Sequence, residues 1–252
     1  MLKNSAKLYQ MMGVVKLENY INAEEISTPR TPNEYILWFE KKLKITKTLR
    51  EELKSQNILH QGIAKIFYEE LFPLYRLLQN KLQEWKNARF TPIIGNQNYD
   101  VEVKTENNRT PQYIEIVIAN MNEIEHARME YFLENGHVSM VGGVSIERNR
   151  RLGKKITVEE EAHSSEEINR KVKDRINSLI NKKIMVKERP NNTALLVFFD
   201  DYTSFRYDIC SSKSEMNTFL DSIKIEWQNR YSALYIVGAS GSFYERPLAI
   251  KN

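Results

Sequence analysis

The sequence predicts a mixed α/β fold, with a central mixed sheet flanked by helices. Three observations lead there. Short apolar runs such as "YIEIVIA" (113–119), "TALLVFF" (193–199) and "SALYIVG" (232–238) have strand length and strand composition. Between such runs stand longer segments whose apolar residues recur three and four apart, as in amphipathic helices. The two kinds alternate from about residue 91 onward, which suits a layered α/β domain. No internal repeat and no low-complexity linker interrupts them.

Residues 1–30 show no clear period. "STPRTPNEYILWFEKKL" then opens a helix, with Thr31 as N-cap, Pro32 as first helical residue and Glu34 as capping-box partner. A longer helix covers about 59–86, and Pro73 should kink it. The chain therefore divides into an N-terminal helical segment, 1–58, and an α/β domain, 59–252. "TPII", "NYDVEVKTE" and "QYIEIVIAN" read as three strands, with "NNRTP" turning between the last two. "NMNEIEHARMEYFLENG" is a helix, capped by Asn122 and Glu125 and stopped by Gly136. A hairpin follows: "HVSMVGGVSIE", the loop "RNRRLGKK", and "ITVEEEA". Ser164 and Glu167 make the capping box of another helix, whose stripe is Ile168, Val172, Ile176, Leu179 and Ile180. "TALLVFFDDY" is a buried strand. Residues 214–229 form a helix carrying Met216, Phe219, Leu220, Ile223 and Trp227, and "SALYIVGAS" is the last strand.

Composition bounds the function. The 252 residues are 41% hydrophobic and 28% charged, enough for one substantial core. Lys and Arg number 37 against 33 Asp and Glu, so the net charge of +4 permits a nucleic-acid partner without demanding one. The single cysteine, Cys210, excludes an internal disulfide or a cysteine zinc site and suits a reduced, cytoplasmic location. No apolar N-terminal stretch reads as a signal peptide, and no run of about 18 apolar residues reads as a membrane span.

The informative feature is charge where apolar residues belong. Side chains alternate faces along a strand, so Val101 and Val103 share one face and Asp100, Glu102 and Lys104 the other. A turn centred near residues 108–109 sets Glu102 opposite Glu115 and Asp100 opposite Val117. One face then gathers Val101, Val103, Ile114, Ile116 and Ile118, and the other Asp100, Glu102, Lys104 and Glu115. That polar face could simply be wet. Glu115, however, has Val117 and Ala119 as same-face neighbours, and a buried carboxylate needs a partner or a metal. At about 100° per residue, Glu70 falls inside the apolar arc of its helix, and Arg128 lies between Ile124 and Phe132 on another. Either could be the edge of an arc or a snorkelling side chain. Four ionisable groups facing one core raise the functional reading.

A strand with an acid, a turn, an apolar strand with Glu and then a helix resembles the PD-(D/E)xK nuclease superfamily, over about residues 60–140. The resemblance implies a restriction-endonuclease-like fold and divalent-metal-dependent hydrolysis of phosphodiester bonds. It implies Mg²⁺ (or Mn²⁺) held by Asp100, Glu115 and the Ile116 carbonyl, with Glu70 as an auxiliary acid. Tyr99 stands where the family has Pro, and Val117 where it has its Lys. Arg128 or Lys104 would then supply the missing cation. The implied partner is nucleic acid, DNA foremost, in a prokaryotic or phage defence setting. Cutting a duplex would suit a homodimer. Without that cation the same fold could bind nucleic acid or a protein partner and not cut.

The loop "ERNRRLGKK" offers Arg148, Arg150, Arg151, Lys154 and Lys155 either to phosphates or to solvent. Asp200 and Asp201 read as a turn at a strand end. His60, His126, His137 and His163 lack zinc spacing. "GASGSF" lacks the pattern of a phosphate loop, and no GxSxG elbow is present.

Overall fold

Thr31 opens the first long helix as its residue type requires. Its hydroxyl accepts the Glu34 N–H, Glu34 returns a carboxylate to the Thr31 N–H, and Pro32 occupies the first turn. The computed structural model describes residues 16–49, 62–95, 97–107, 110–119, 123–138, 143–149, 153–159, 164–185, 188–201, 209–223, 227–228 and 230–247. Its helices are α1 (Ala23–Ile26), α2 (Pro32–Thr48), α3, α4 (Glu123–Asn135), α5 (Ser165–Ile184) and α6 (Ile209–Ser222). Its strands are β1 (Arg89–Pro92), β2 (Val101–Lys104), β3 (Tyr113–Ile118), β4 (Val144–Asn149), β5 (Gly153–Val158), β6 (Thr193–Phe199), β7 (Ala233–Gly238) and β8 (Phe243–Pro247).

Helix α3 has three parts: Ile63–Ile66, a π-helical turn Phe67–Leu71, and Phe72–Lys81. It is shorter than the 59–86 expected, and residues 50–61 lie outside the described part. The disturbance expected at Pro73 takes the form of the π turn. Proline has no N–H for the Glu69 carbonyl, and the preceding turn widens so that the Phe72 N–H reaches the Phe67 carbonyl.

Six strands form one mixed sheet in the order β1-β2-β3-β6-β7-β8. The outer pairs are antiparallel, while β3, β6 and β7 run parallel. Strands β6 and β7 are buried along their whole length, which explains their near-continuous apolar sequence. Both edge strands contain a proline (Pro92, Pro247), which blunts an open edge. Strand β8 was not expected from sequence. It has five residues, and Glu245 and Arg246 break its apolar pattern.

Two cores sandwich the sheet. Val101, Val103, Ile114, Ile116, Leu196 and Tyr235 pack with Tyr35, Phe39, Phe67, Leu71 and Leu74 of α2 and α3. On the other face Val117, Leu195, Val197 and Ile236 pack with Val172, Ile176 and Ile180 of α5, and with Met216 and Leu220 of α6. The described part of the N-terminal segment shares the first core and is tied to β1 by a bridge between Arg30 and Phe90. Strands β4 and β5 form a separate two-stranded hairpin packed against α4.

The expected division of hairpin faces holds, but the register differs. Val101 pairs with Ile114 and Glu102 with Tyr113, two positions from the pairing expected. A shift by an even number leaves every side chain on its face, so face patterning alone could not have detected it. No helix among the described residues is long and apolar enough to cross a membrane.

Candidate functional site

Asp100 immediately precedes β2 and meets β3 beside Glu115. The Asp100 N–H donates to the Ile114 carbonyl at 2.9 Å, and its Oδ2 accepts the Ile116 N–H at 2.6 Å. A carboxylate thus pairs with a backbone group of β3, and the side chain is pinned beside Glu115.

Glu115 does not face water: it is 6% exposed. Its Oε1 lies 2.6 Å from Lys183 Nζ, and its Oε2 accepts the Tyr231 hydroxyl at 2.7 Å. Arg189 Nη2 stands 3.7 Å from Oε2 and donates to the Lys183 carbonyl at 2.6 Å. The Arg189 guanidinium lies over the Tyr231 ring, 4.1 Å from its centroid. Ammonium, phenol and guanidinium together meet the requirement that a buried carboxylate be paired. The same arrangement holds the Tyr231 hydroxyl well above its ordinary pKa, through burial and through its bond to Glu115.

The fold explains why these residues meet. Strands β3, β6 and β7 are parallel neighbours, so the segments entering β6 and β7 lie at one end of the sheet. Arg189 lies just ahead of β6, Tyr231 just ahead of β7, and Lys183 in the last turn of α5, where a helix terminus favours a cation.

Two more acids belong to this end. Burial pushes the Asp100 carboxyl up to about 6. The Ile116 N–H opposes that shift, the Glu115 charge adds to it, and Lys183 opposes it. Burial also pushes Glu70 up to about 7, with the Asp100 and Glu69 charges adding to the rise and Lys65 opposing it. Glu70 sits on the π turn, which packs against β3. Widened turns of this kind recur at functional sites.

The two expected cations are elsewhere. Lys104 is exposed at the far end of β2, opposite Arg89. Arg128 is buried at 4% exposure, and its Nε lies 3.2 Å from Glu125 Oε2. Glu125 also meets Arg175 of α5 at 3.5 Å. Lys183 and Arg189 stand in their place. Both lie in "NKKIMVKERP", which reads from sequence as a helix end and its loop. A signal for Lys183 was present: it follows Ile176 by seven residues and Ile180 by three, so it continues the apolar stripe of α5. The criterion that singled out Glu70 and Arg128 selects it too. Arg189 and Tyr231 carry no comparable signal, because each enters the site from an irregular segment.

As they stand, the side chains do not form a cage for a metal ion. Both Glu115 oxygens and one Asp100 oxygen are engaged by donors of the chain. Among the described residues, no group of three His, Cys, Asp or Glu side chains could hold an ion. Ile116, expected to offer its carbonyl, contributes its N–H to Asp100.

The basic hairpin is partly committed. Arg148 pairs with Glu123 and Lys154 with Glu130, fastening β4 and β5 to α4. Lys155 is exposed, and Arg150 and Arg151 lie outside the described residues, as does Asn122, the expected cap of α4. Asp201, read as a turn former, is 2% exposed and accepts the Ser240 and Ser242 N–H groups at 2.6 and 3.2 Å. It thereby closes the β7–β8 turn, and the chain's own carboxylate fills the "GASGSF" loop.

No protein-family model matches this chain, and no curated protein or solved structure matches it either.

Proposed function

We propose that the protein is a nuclease of restriction-endonuclease-like fold that hydrolyses phosphodiester bonds of nucleic acid, with DNA as the foremost substrate. One observation carries the reading: the Asp100 carboxylate accepts the N–H of Ile116, next to Glu115, and a lysine ammonium stands on Glu115. Two neighbouring carboxylates and a cation are the donor types that the resemblance to PD-(D/E)xK nucleases calls for. The mixed sheet with helices on both faces agrees with that resemblance. Lys183 comes from a helix, where the family pattern would have a lysine at Val117.

The chemistry follows from what the side chains can do. Water attacks phosphorus and loses a proton to a nearby base. Asp100, at about 6, and Glu70, at about 7, suit that task near neutral pH. The bond from phosphorus to the leaving sugar oxygen breaks, and that oxygen takes a proton from solvent. Lys183 and Arg189 place positive charge where negative charge develops on the phosphoryl oxygens. Mg²⁺ or Mn²⁺ enters the proposal through the resemblance, and so do a role in prokaryotic or phage defence and a homodimer for duplex cutting. Cleavage of DNA and RNA in the presence of either ion tests the reading. It should vanish in Asp100→Ala with the fold retained by circular dichroism, and undiminished cleavage would refute it.

A second reading has its own observation. Glu115 is fully engaged by Lys183 and Tyr231, as in a site that has given up catalysis. The protein would then bind nucleic acid through the hairpin, or a protein partner, without turnover. Salt-sensitive binding with no cleavage at any ion concentration would favour it.

A further inference from the structure

We propose that the segments entering β6 and β7 hold a site for a terminal phosphate group, bound by Arg189 and Ser232 with Lys183 beside them. The proposal stands apart from the nuclease reading, since it rests on donors of the chain alone and would hold for a protein that cuts nothing. Its ground is a buried guanidinium with unused donors. The Arg189 side chain is 6% exposed, yet its Nε and Nη1 have no hydrogen-bond partner. Only its Nη2 is engaged, donating to the Lys183 carbonyl at 2.6 Å and standing 3.7 Å from Glu115 Oε2. Stacking on Tyr231, 4.1 Å from the ring centroid, holds the guanidinium in place. Buried donors ordinarily have partners, and one left without costs free energy.

An independent observation lies beside the first. The Ser232 hydroxyl is also buried without a partner. Ser232 reaches the neighbourhood of Arg189 through β6: its N–H donates to the Thr193 carbonyl at 2.8 Å, and the Thr193 hydroxyl donates to the Pro190 carbonyl at 2.7 Å, one residue from Arg189. Ser232 also directly follows Tyr231, on whose ring Arg189 stacks. Lys183 adds an ammonium whose side chain is 30% exposed, on the solvent side of the group. Guanidinium, hydroxyl and ammonium are donors suited to phosphate oxygens. The charges agree: Lys183 and Arg189 outnumber Glu115 until Asp100 ionises, at about 6. Burial selects the kind of phosphate. A diester is flanked by a sugar on each side, while a terminal monoester projects three free oxygens on one stem. The monoester alone is slim enough to reach donors covered from solvent.

The test titrates inorganic phosphate calorimetrically into the full chain at about pH 5.5 with EDTA present, where Asp100 is mostly protonated. A short single-stranded oligonucleotide, with and without a 5′-phosphate, follows. Inorganic phosphate should bind and raise the melting temperature. Ser232→Ala should weaken that binding roughly tenfold. Without phosphate it should melt no lower than the wild type, since it removes a hydroxyl that has no partner at rest. Arg189→Lys keeps the charge, loses the planar donors, and should weaken binding by at least about tenfold. Lys182→Met removes a neighbouring exposed charge and should change affinity by less than about twofold. If the 5′-phosphorylated oligonucleotide binds at least about tenfold more tightly than its unphosphorylated form, the group held is the end of a nucleic acid. Equal binding of the two, with inorganic phosphate still bound, assigns the site to a small phosphomonoester. No binding of inorganic phosphate by the wild type would overturn the proposal and leave the open donors to buried water. Unchanged affinity in Ser232→Ala would overturn it too, as would equal weakening by Lys182→Met, since bulk charge would then explain the binding. Phosphate binding without cleavage by the wild type keeps the site and removes the hydrolysis, and cleavage without phosphate binding does the reverse.

Discussion

Asp100 and Glu70 hold their protons to higher pH than ordinary carboxylates because burial penalises their charged forms. That penalty gives stability a pH dependence of definite sign. Below about pH 3 both acids are essentially protonated, folded or unfolded, and neither lowers stability. As pH rises past the ordinary carboxylate range toward 6 and 7, the unfolded chain ionises first and the folded state loses ground. Asp100→Asn keeps an oxygen for the Ile116 N–H and removes the penalty. Its melting temperature should match the wild type near pH 3 and exceed it by roughly 3–6 °C at pH 8. A lower melting temperature at pH 8 would show that Asp100 stabilises the fold in its charged form. A Cβ at Gly238 would collide with the Asp201 carboxylate, which the Ser240 and Ser242 N–H groups hold in place. Gly238→Ala should lower the unfolding free energy in urea by about 2 kcal/mol or more. An unchanged midpoint and slope would mean that the turn has room to move.

Elements show why some of the architecture is legible in sequence. Thr31, Pro32 and Glu34 each favour the start of α2, and Ser164 accepts the Glu167 N–H at the start of α5. Val172, Ile176 and Ile180 recur on one side of α5 and are buried there. Strand β8 has no such agreement between levels: a proline and two charges sit in five residues, and only its pairing with β7 makes it a strand. The sixth helix runs over Ile209–Ser222, earlier than the 214–229 expected, because its buried positions, Met216 and Leu220, set its face but not its ends. The β4–β5 hairpin shows how a charge run divides its labour. Arg148 and Lys154 are held by acids of α4. Nucleic-acid contact would therefore fall mainly to Arg150, Arg151 and Lys155. Neutralising Arg150 and Arg151 together should reduce the slope of log affinity for DNA against log salt by about 2, while Arg148→Gln should change it by less than about 1. An unchanged slope in the double variant would free the hairpin from that role.

Over the whole molecule, three parallel strands bring remote segments to one end of the sheet. Glu115 in β3 meets Arg189 ahead of β6 and Tyr231 ahead of β7. Local pattern made the carboxylates legible: Glu115 interrupts an apolar strand, and Glu70 interrupts an apolar arc. Their cations were not legible in the same way. Lys104 and Arg128 were nearer in sequence and of the right charge, but β2 carries Lys104 to its far end and Glu125 engages Arg128. Only the sheet order selects Lys183 and Arg189 in their place. The proposed role of Asp100 and Glu115 in phosphodiester hydrolysis is decided by comparing cleavage by the wild type and by Glu115→Gln. Both proteins, matched in circular dichroism and melting temperature, would be given supercoiled plasmid and labelled RNA with Mg²⁺ or Mn²⁺. The wild type should cut at least one substrate, and Glu115→Gln should be slower by at least about 100-fold. Equal rates in the two proteins, or no cleavage by the wild type under any of these conditions, would contradict it.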